Sequence, residues 1–255
     1  MLNSIKQLSI IGGMLLSVTA YSDVTLYGPG GPHTALLDAA KAFEEKNDVK
    51  VHVNFGPQAT WQAKAQENAD ILFGPSQQSA LAIVNDFKTN FNVKDMQSLY
   101  LHDAIILVQK GNPKKITKLE DLIKPNIKIA VIDGQGMSNT SGTGVWEDIV
   151  GRKQDVAFFQ AFRNNIEVFA INSGSAFKAF KSKEVDAWIT WRDWAFSNPD
   201  VGDIVNINDD YVITRDFNVA INQNNTNSQV NQFVDYLKTP EAQAIFANYG
   251  WYVGK

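Results

Sequence analysis

The chain contains no cysteine. A disulfide framework, a thiol nucleophile and a lipid-anchored start are therefore not expected. Histidine is nearly as scarce: His33, His52 and His102 are far apart in sequence, and none stands in a metal-ligand spacing. No apolar run reaches the roughly 18 residues that a membrane span needs. Neither sign of charge dominates, with 23 Lys and Arg against 27 Asp and Glu for a net charge of −4. The basic residues are scattered rather than gathered in a stripe, so nucleic acid is not an expected partner. A G-x-S-x-G elbow, an H-E-x-x-H pair and a phosphate-binding loop with its lysine are missing too, and Asp209-Asp210 lies in a polar stretch that reads as solvated. The sequence offers no catalytic residue, metal site or cofactor site, and an enzyme is not expected.

What is present is the composition of an ordinary folded protein, 44% hydrophobic and 20% charged over 255 residues. That length can bury a large core without covalent staples and can divide into two compact units. Residues 1–22 differ from the rest. One charge, Lys6, precedes the apolar LSIIGGMLLSVTA and the small residues of A-Y-S, the layout of a secretory signal cleaved after Ser22. The mature chain is expected to begin at Asp23 and to be free in a bacterial periplasm.

From Asp23 the chain alternates short apolar runs with helical periods. VTLYG (24–28), VKVHVNFG (49–56) and DILFG (70–74) read as strands separated by helices, the first with Leu36, Leu37, Ala40 and Phe43 on one face and the third with Leu81, Val84 and Phe87. This β-α-β-α-β order predicts a parallel sheet with right-handed crossovers. A long strand over 100–113 leads to a second series: a short helix at 119–123, strands at 127–133, 166–170 and 186–193, and intervening helices. Another long extended run, 212–222, leads to two closing helices, the last opening with Thr239 as N-cap and Pro240 behind it. The expected fold class is α/β, two Rossmann-like lobes joined by two crossing strands. Residues 23–102 plus 214–255 form lobe 1, and residues 103–213 form lobe 2.

The chain resembles the class II extracellular solute-binding proteins of the molybdate/sulfate type over nearly its whole mature length. The landmarks are NFGPQATW, NADILFG, LVQKGNP followed by KLEDL, IAVIDG with its SGTG helix start, EVDAWITW and the terminal TPEAQAIFANYGW. Within that family it is most similar to the accessory colonization factor AcfC type. The resemblance implies a periplasmic binding protein-like class II fold whose lobes close over a small ligand and hand it to a membrane transporter or a receptor.

The residues themselves point to an anion. In open α/β sheets ligands sit beyond the carboxyl ends of the strands, where helix N-termini aim free N–H groups and a partial positive charge. Four strand-to-helix turns have that character: Gly30 and Gly31 before the first helix; Gln58, Ala59 and Thr60 after the second strand; Ser141, Gly142 and Thr143; and Ser173 and Ser175. The resemblance implies that these positions surround an oxyanion; read alone, each is equally a helix cap. His33 stands beside the first glycine pair. Two features depart from the family pattern. Gln58-Ala59 replaces a usual Ser-Gly, and Trp191 and Arg192 stand where a Tyr is usual. Arg192 presents a planar fork suited to carboxylate, sulfate or phosphate, unless it pairs with Asp193 or a hinge carboxylate. Trp61 and Trp191 are candidates to line the site or to fill the core.

The expected function is capture of a small anion, a sulfate- or molybdate-like oxyanion or a small organic acid, for transport or chemotaxis. The expected partners are that ligand and an inner-membrane ABC permease or a chemoreceptor, with the protein itself a monomer. A colonization or receptor-docking protein that uses the same fold is the alternative, and a transcription regulator is excluded for want of room for a helix-turn-helix.

Overall fold

In the computed structural model, residues 23–136 and 140–254 are described; the expected signal segment lies outside them. The first lobe opens with β1 (Val24–Gly28), α1 (His33–Glu44), β2 (Val51–Phe55), α2 (Gln62–Asn68), β3 (Ile71–Gly74) and α3 (Gln77–Asp86). Both β2 and β3 pair in parallel with β1, as the βαβ rhythm requires. The helix faces are set by periodicity. Ala35, Leu36, Ala39, Ala40 and Phe43 of α1 are buried, whereas Leu37 is 43% exposed, because a residue adjacent to Leu36 is turned about 100° away from the core stripe. On α3 the buried set is Ser79, Ala80, Ile83 and Val84, with Phe87 buried just beyond it and Leu81 half-buried.

Strand β4 (Gln97–Gln109) then runs the length of both lobes. Its first half pairs antiparallel with β9 (Thr214–Ile221), with His102 opposite Arg215 and Asp103 opposite Thr214. From Ala104 onward it pairs with β7 (Ala187–Trp191) and with β8 (Gly202–Asn206). The partner change between Asp103 and Ala104 is the crossing between lobes. The second lobe adds β5 (Ile129–Ile132), α4 (Val145–Gly151), α5 (Val156–Asn164), β6 (Ile166–Ala170), α6 (Ser173–Lys181) and α7 (Arg192–Ser197); α8 (Ser228–Tyr236) and α9 (Pro240–Ala247) return to the first. The resulting order is β2-β1-β3-β9-β4-β7-β5-β6, with β8 beside β4.

Each sheet is covered on both faces, so four apolar clusters form. In the first lobe α1, α8, α9 and Trp251 pack on one face and Trp61, Ile83, Val84 and Phe87 on the other. In the second, Trp146, Ile149 and Phe162 cover one face and Phe180, Trp188 and Ala195 the other. Full burial of side chains of this size contributes about 1.5–3 kcal/mol each. Two elements depart from expectation. The run 186–193 does not continue as strand: β7 ends at Trp191 and α7 starts at Arg192. The stretch 202–206, outside the elements expected from the sequence, is β8, paired antiparallel with β4.

Candidate functional site

The carboxyl ends of β1 and β2 in one lobe and of β5, β6 and β7 in the other carry the residues singled out in the sequence, and the crossing segments 102–104 and 213–215 lie at the same ends. These turns therefore stand at the strand ends nearest the crossing between the lobes.

The glycine turn is the best placed. Gly30 has open space around its Cα; Gly31 packs near Pro75 and the Asp193 carboxylate, 3.4 Å and 3.5 Å from where a Cβ would stand. Asp193 belongs to the second lobe, so the two lobes meet here. Thr34 Oγ1 and Ser197 Oγ, 2.8 Å apart, form a second bridge between α1 and α7. His33 stacks on Phe55 with ring centroids 4.3 Å apart, and its Nδ1 meets the Gly30 carbonyl, which fixes the turn from outside.

The turn after β2 is less committed to the crevice. Gln58 donates to Asp86 Oδ2 at 2.6 Å, Thr60 Oγ1 donates to the Pro57 carbonyl at 2.7 Å, and Ala59 is exposed. These side chains are occupied in shaping their own turn and tying it to α3. Trp61 is buried in the core against Tyr27 and Phe87, where its apolar area is worth most.

In the second lobe, Ser141 is 7% exposed and its hydroxyl makes no hydrogen bond among the described residues. Gly142 rests on the Ile132 side chain, and Thr143 Oγ1 accepts from Thr140 N at 2.9 Å. Gly144, at φ +74°, is the N-cap of α4; a residue with a Cβ is strained in that left-handed conformation. Beside this turn, Ser175 is consumed by a capping box: its N–H donates to Asn172 Oδ1 at 2.9 Å, and its Oγ accepts from the Asn172 N–H and donates to the Asn172 carbonyl. Ser173, half-buried at the first position of α6, has no side-chain hydrogen bond among the described residues. The turns of β5 and β6 emerge side by side because those strands pair.

Trp191 and Arg192 are not presented to the crevice. Trp191 is 2% exposed and stacks on His102 at 4.3 Å. Arg192 donates to Asn206 Oδ1 at 2.8 Å, and its Cγ lies against Gly250. It forms no ion pair with Asp193; the physical reason is the helix start, which turns Asp193 inward to His102 and Arg192 about 100° away, toward the C-terminal segment.

A different arginine stands at the crossing between the lobes. Arg215, at the crossing end of β9, places Nη2 3.1 Å from Asp148 Oδ2 in the first turn of α4. Its Nε and Nη1 have no hydrogen bond among the described residues. Sequence reading passed over it because it lies inside an apolar strand pattern, VITRDFNVAIN; an Arg-Asp pair in such a run was the available signal. Asp216, its neighbour, accepts from Gln77 N at 2.9 Å and from Ser98 Oγ at 2.7 Å, so the N-terminus of α3 already has an anion. Burial, followed by the hydrogen bond to Asp103, raises the Tyr252 phenol above its ordinary range beside the same crossing.

Two open hollows, of about 260 Å³ and about 190 Å³, lie elsewhere, at the amino end of β4 and beside Lys88 and Phe91. Among the described residues no group of three or more His, Asp or Glu is placed to hold a metal ion, and no helix is long and apolar enough to cross a membrane.

Comparison with known proteins agrees with this fold. The model of the family described as bacterial extracellular solute-binding protein matches residues 24–252. No curated protein matches the sequence. Among solved structures, PEB3 bound to L-phospholactate is 56% identical with a TM-score of 0.88, covering 91% of this chain and 100% of that one. Peb3 from Campylobacter jejuni is 55% identical with a TM-score of 0.87, over the same shares. The periplasmic molybdate-binding protein of Azotobacter vinelandii, 14% identical, has a TM-score of 0.70 over 91% of this chain and 100% of its own, a likeness of fold alone.

Proposed function

The chain belongs to the bacterial extracellular solute-binding family, and from that premise we propose that it captures a small organic acid bearing a phosphate or a second acidic group between its lobes. The observation that carries this reading is the 56% identity, over 91% of the chain, to a protein whose structure holds L-phospholactate. Arg215 supports it from the geometry: a fork with two unused N–H edges at the base of a crevice rimmed by helix N-termini is suited to a carboxylate or phosphate. Gly30 and Gly31 from the first lobe and Ser141, Thr143 and Ser173 from the second supply neutral donors. A ligand that touches both sets favours closure, because only differential contact shifts the equilibrium between open and closed states. We place the hinge at 103/104 and 213/214, where β4 changes partner and β9 begins. The protein acts as a monomer in the periplasm after removal of residues 1–22, delivering its ligand to an ABC permease or a chemoreceptor. Assignment to the accessory colonization factor branch rests on the sequence landmarks.

The test is a thermal-shift and calorimetry panel on ligand-stripped mature protein, with L-phospholactate, lactate and dicarboxylates in one arm and sulfate, molybdate and phosphate in the other. Ligand at 100 times its Kd adds about 2.7 kcal/mol, and each kcal/mol raises Tm by roughly 2–4 °C for a chain of this size. A shift with phospholactate that exceeds the shift with phosphate supports the proposal. A response confined to inorganic oxyanions overturns the organic-acid reading.

A further inference from the structure

We infer that His102 is a doubly protonated imidazolium that pins the two lobes together at their crossing and neutralises the Asp193 carboxylate beneath the glycine turn. His102 is fully buried, and both ring nitrogens face acceptors. Nδ1 lies 2.9 Å from Asp193 Oδ1 and Nε2 lies 2.9 Å from the Pro75 carbonyl oxygen. A neutral imidazole has one N–H and one lone pair; against a carboxylate and a carbonyl it would turn the lone pair toward an acceptor. Two N–H groups satisfy both contacts.

The surroundings suit a cation. The ring is sandwiched between Trp191, at 4.3 Å and 19° between planes, and Trp251, at 4.0 Å and 14°. Two indole faces turned on one imidazolium are attracted to it electrostatically, the more so away from water. Asp193, 1% exposed, supplies the counter-charge from α7. The next charges outward are Arg215, opposite His102 on β9 and paired with Asp148, Asp103, bonded by Thr214 and Tyr252, and Arg192, bonded to Asn206. None of these reaches the imidazole, so the His102–Asp193 pair is balanced within itself.

The pin joins three places. Pro75 belongs to the turn of the first lobe that packs on Gly31, Asp193 to the second lobe, and His102 to β4 one residue before the crossing reaches Asp103. Asp193 Oδ2 stands 3.5 Å from the position of a Gly31 Cβ. Without the imidazolium, a bare carboxylate would sit under the turn offered to an anionic ligand. His102 is therefore a positioning residue whose charge makes the glycine turn fit for anions. The protonation state stands on the hydrogen-bond geometry; its effect on affinity rests on the anion reading proposed above.

The test has two arms on the mature chain. In histidine-labelled protein, ¹⁵N spectra are recorded at about pH 7.5, where an ordinary histidine is mostly neutral, with His102→Gln to assign the signal. Both His102 nitrogens are expected to carry imidazolium-type shifts. A pyridine-type nitrogen at His102 overturns the inference without any variant having to fold. In the second arm L-phospholactate is titrated into wild type, His102→Gln and His102→Gln/Asp193→Asn. The single variant should bind at least about tenfold more weakly, and the double variant, neutral at both positions, should return to within about threefold of wild type. A purely structural role predicts no such rescue, and an equal loss in both variants overturns the charge-compensation half. If wild type binds no anion, the anion reading fails and the spectra still decide the protonation state.

Discussion

Replacing Arg215 by Ala separates ligand binding from stability. In the free protein the guanidinium holds Asp148 with side-chain exposures of 33% and 54%; exposed pairs of this kind are worth about 0–1 kcal/mol. The variant should thus lose no more than about 1 kcal/mol of stability, a fall of roughly 2–4 °C in Tm. Its effect on an anion in a closed crevice is larger. Truncating one partner of a buried, hydrogen-bonded charge pair costs about 2–5 kcal/mol, and since a third of the Arg215 side chain stays accessible the low end applies. About 2–3 kcal/mol corresponds to a Kd weakened roughly 30- to 150-fold. Arg215→Lys keeps the charge but loses the fork, so its Kd should fall between those of wild type and Arg215→Ala. Asp148→Asn, which frees the guanidinium, should tighten binding by a few-fold, about 0.5–1 kcal/mol. Calorimetric titration with L-phospholactate, at low and at physiological salt, measures all three. If Arg215→Ala binds within about threefold of wild type at both salt levels, Arg215 is no ligand contact and the base of the crevice has been misread.

Three further outcomes follow from the packing and the charges. Phe246→Ala removes a fully buried ring that stacks on Tyr100 at 4.0 Å and touches Phe217; large aromatic truncations of this kind cost about 3–5 kcal/mol, which a urea titration should register with an unchanged slope. Gly74→Ala would set a Cβ 2.7 Å from the Ala80 backbone where β3 turns into α3; the turn has to open, at about 1–3 kcal/mol, and the amide exchange of Gln77 and neighbouring α3 residues should quicken. Asp121 is held well below the ordinary carboxylate range by the Lys124 ammonium and by the Thr117 backbone N–H. Its folded pKa is depressed, so its contribution is present above the unfolded value of about 3.9 and lost as pH falls through and below it. Asp121→Asn should therefore narrow the gap between urea midpoints at about pH 7 and about pH 3; a gap of unchanged width refutes the assignment.

The local order of the chain was legible in its residues. The β-α-β rhythm of 24–86, the run that became β4 and the cap at Thr239 and Pro240, where Thr239 accepts from Ala242 N, all depend on contacts within a few positions, and their periodicities survive in any tertiary setting. The turns at 30–31, 141–144 and 173–175 were legible for the same reason, because small and hydroxyl residues ahead of a helix are a local pattern. Trp191 and Arg192 were not, since a strand that stops at Trp191, two residues short of the expected 193, and gives way at once to a helix changes which side chain turns inward.

Charge pairing lay beyond sequence reading. The partners of His102 are 27 and 91 residues away, and Asp148 is 67 residues from Arg215. Within its own strand neither His102 nor Arg215 has a neighbour that reveals its partner. Whether such a group is buried, paired or free depends on which segments the sheet brings alongside it, and that is decided by the strand order β3-β9-β4-β7. Sequence thus determined the elements, the two-lobed class and the small and hydroxyl residues that stand at the strand ends, because short-range sterics and periodic burial dictate them. Tertiary structure alone decided where the charges of the crevice stand, because electrostatic partners are chosen by proximity in space, which the chain acquires only when both lobes have closed on β4.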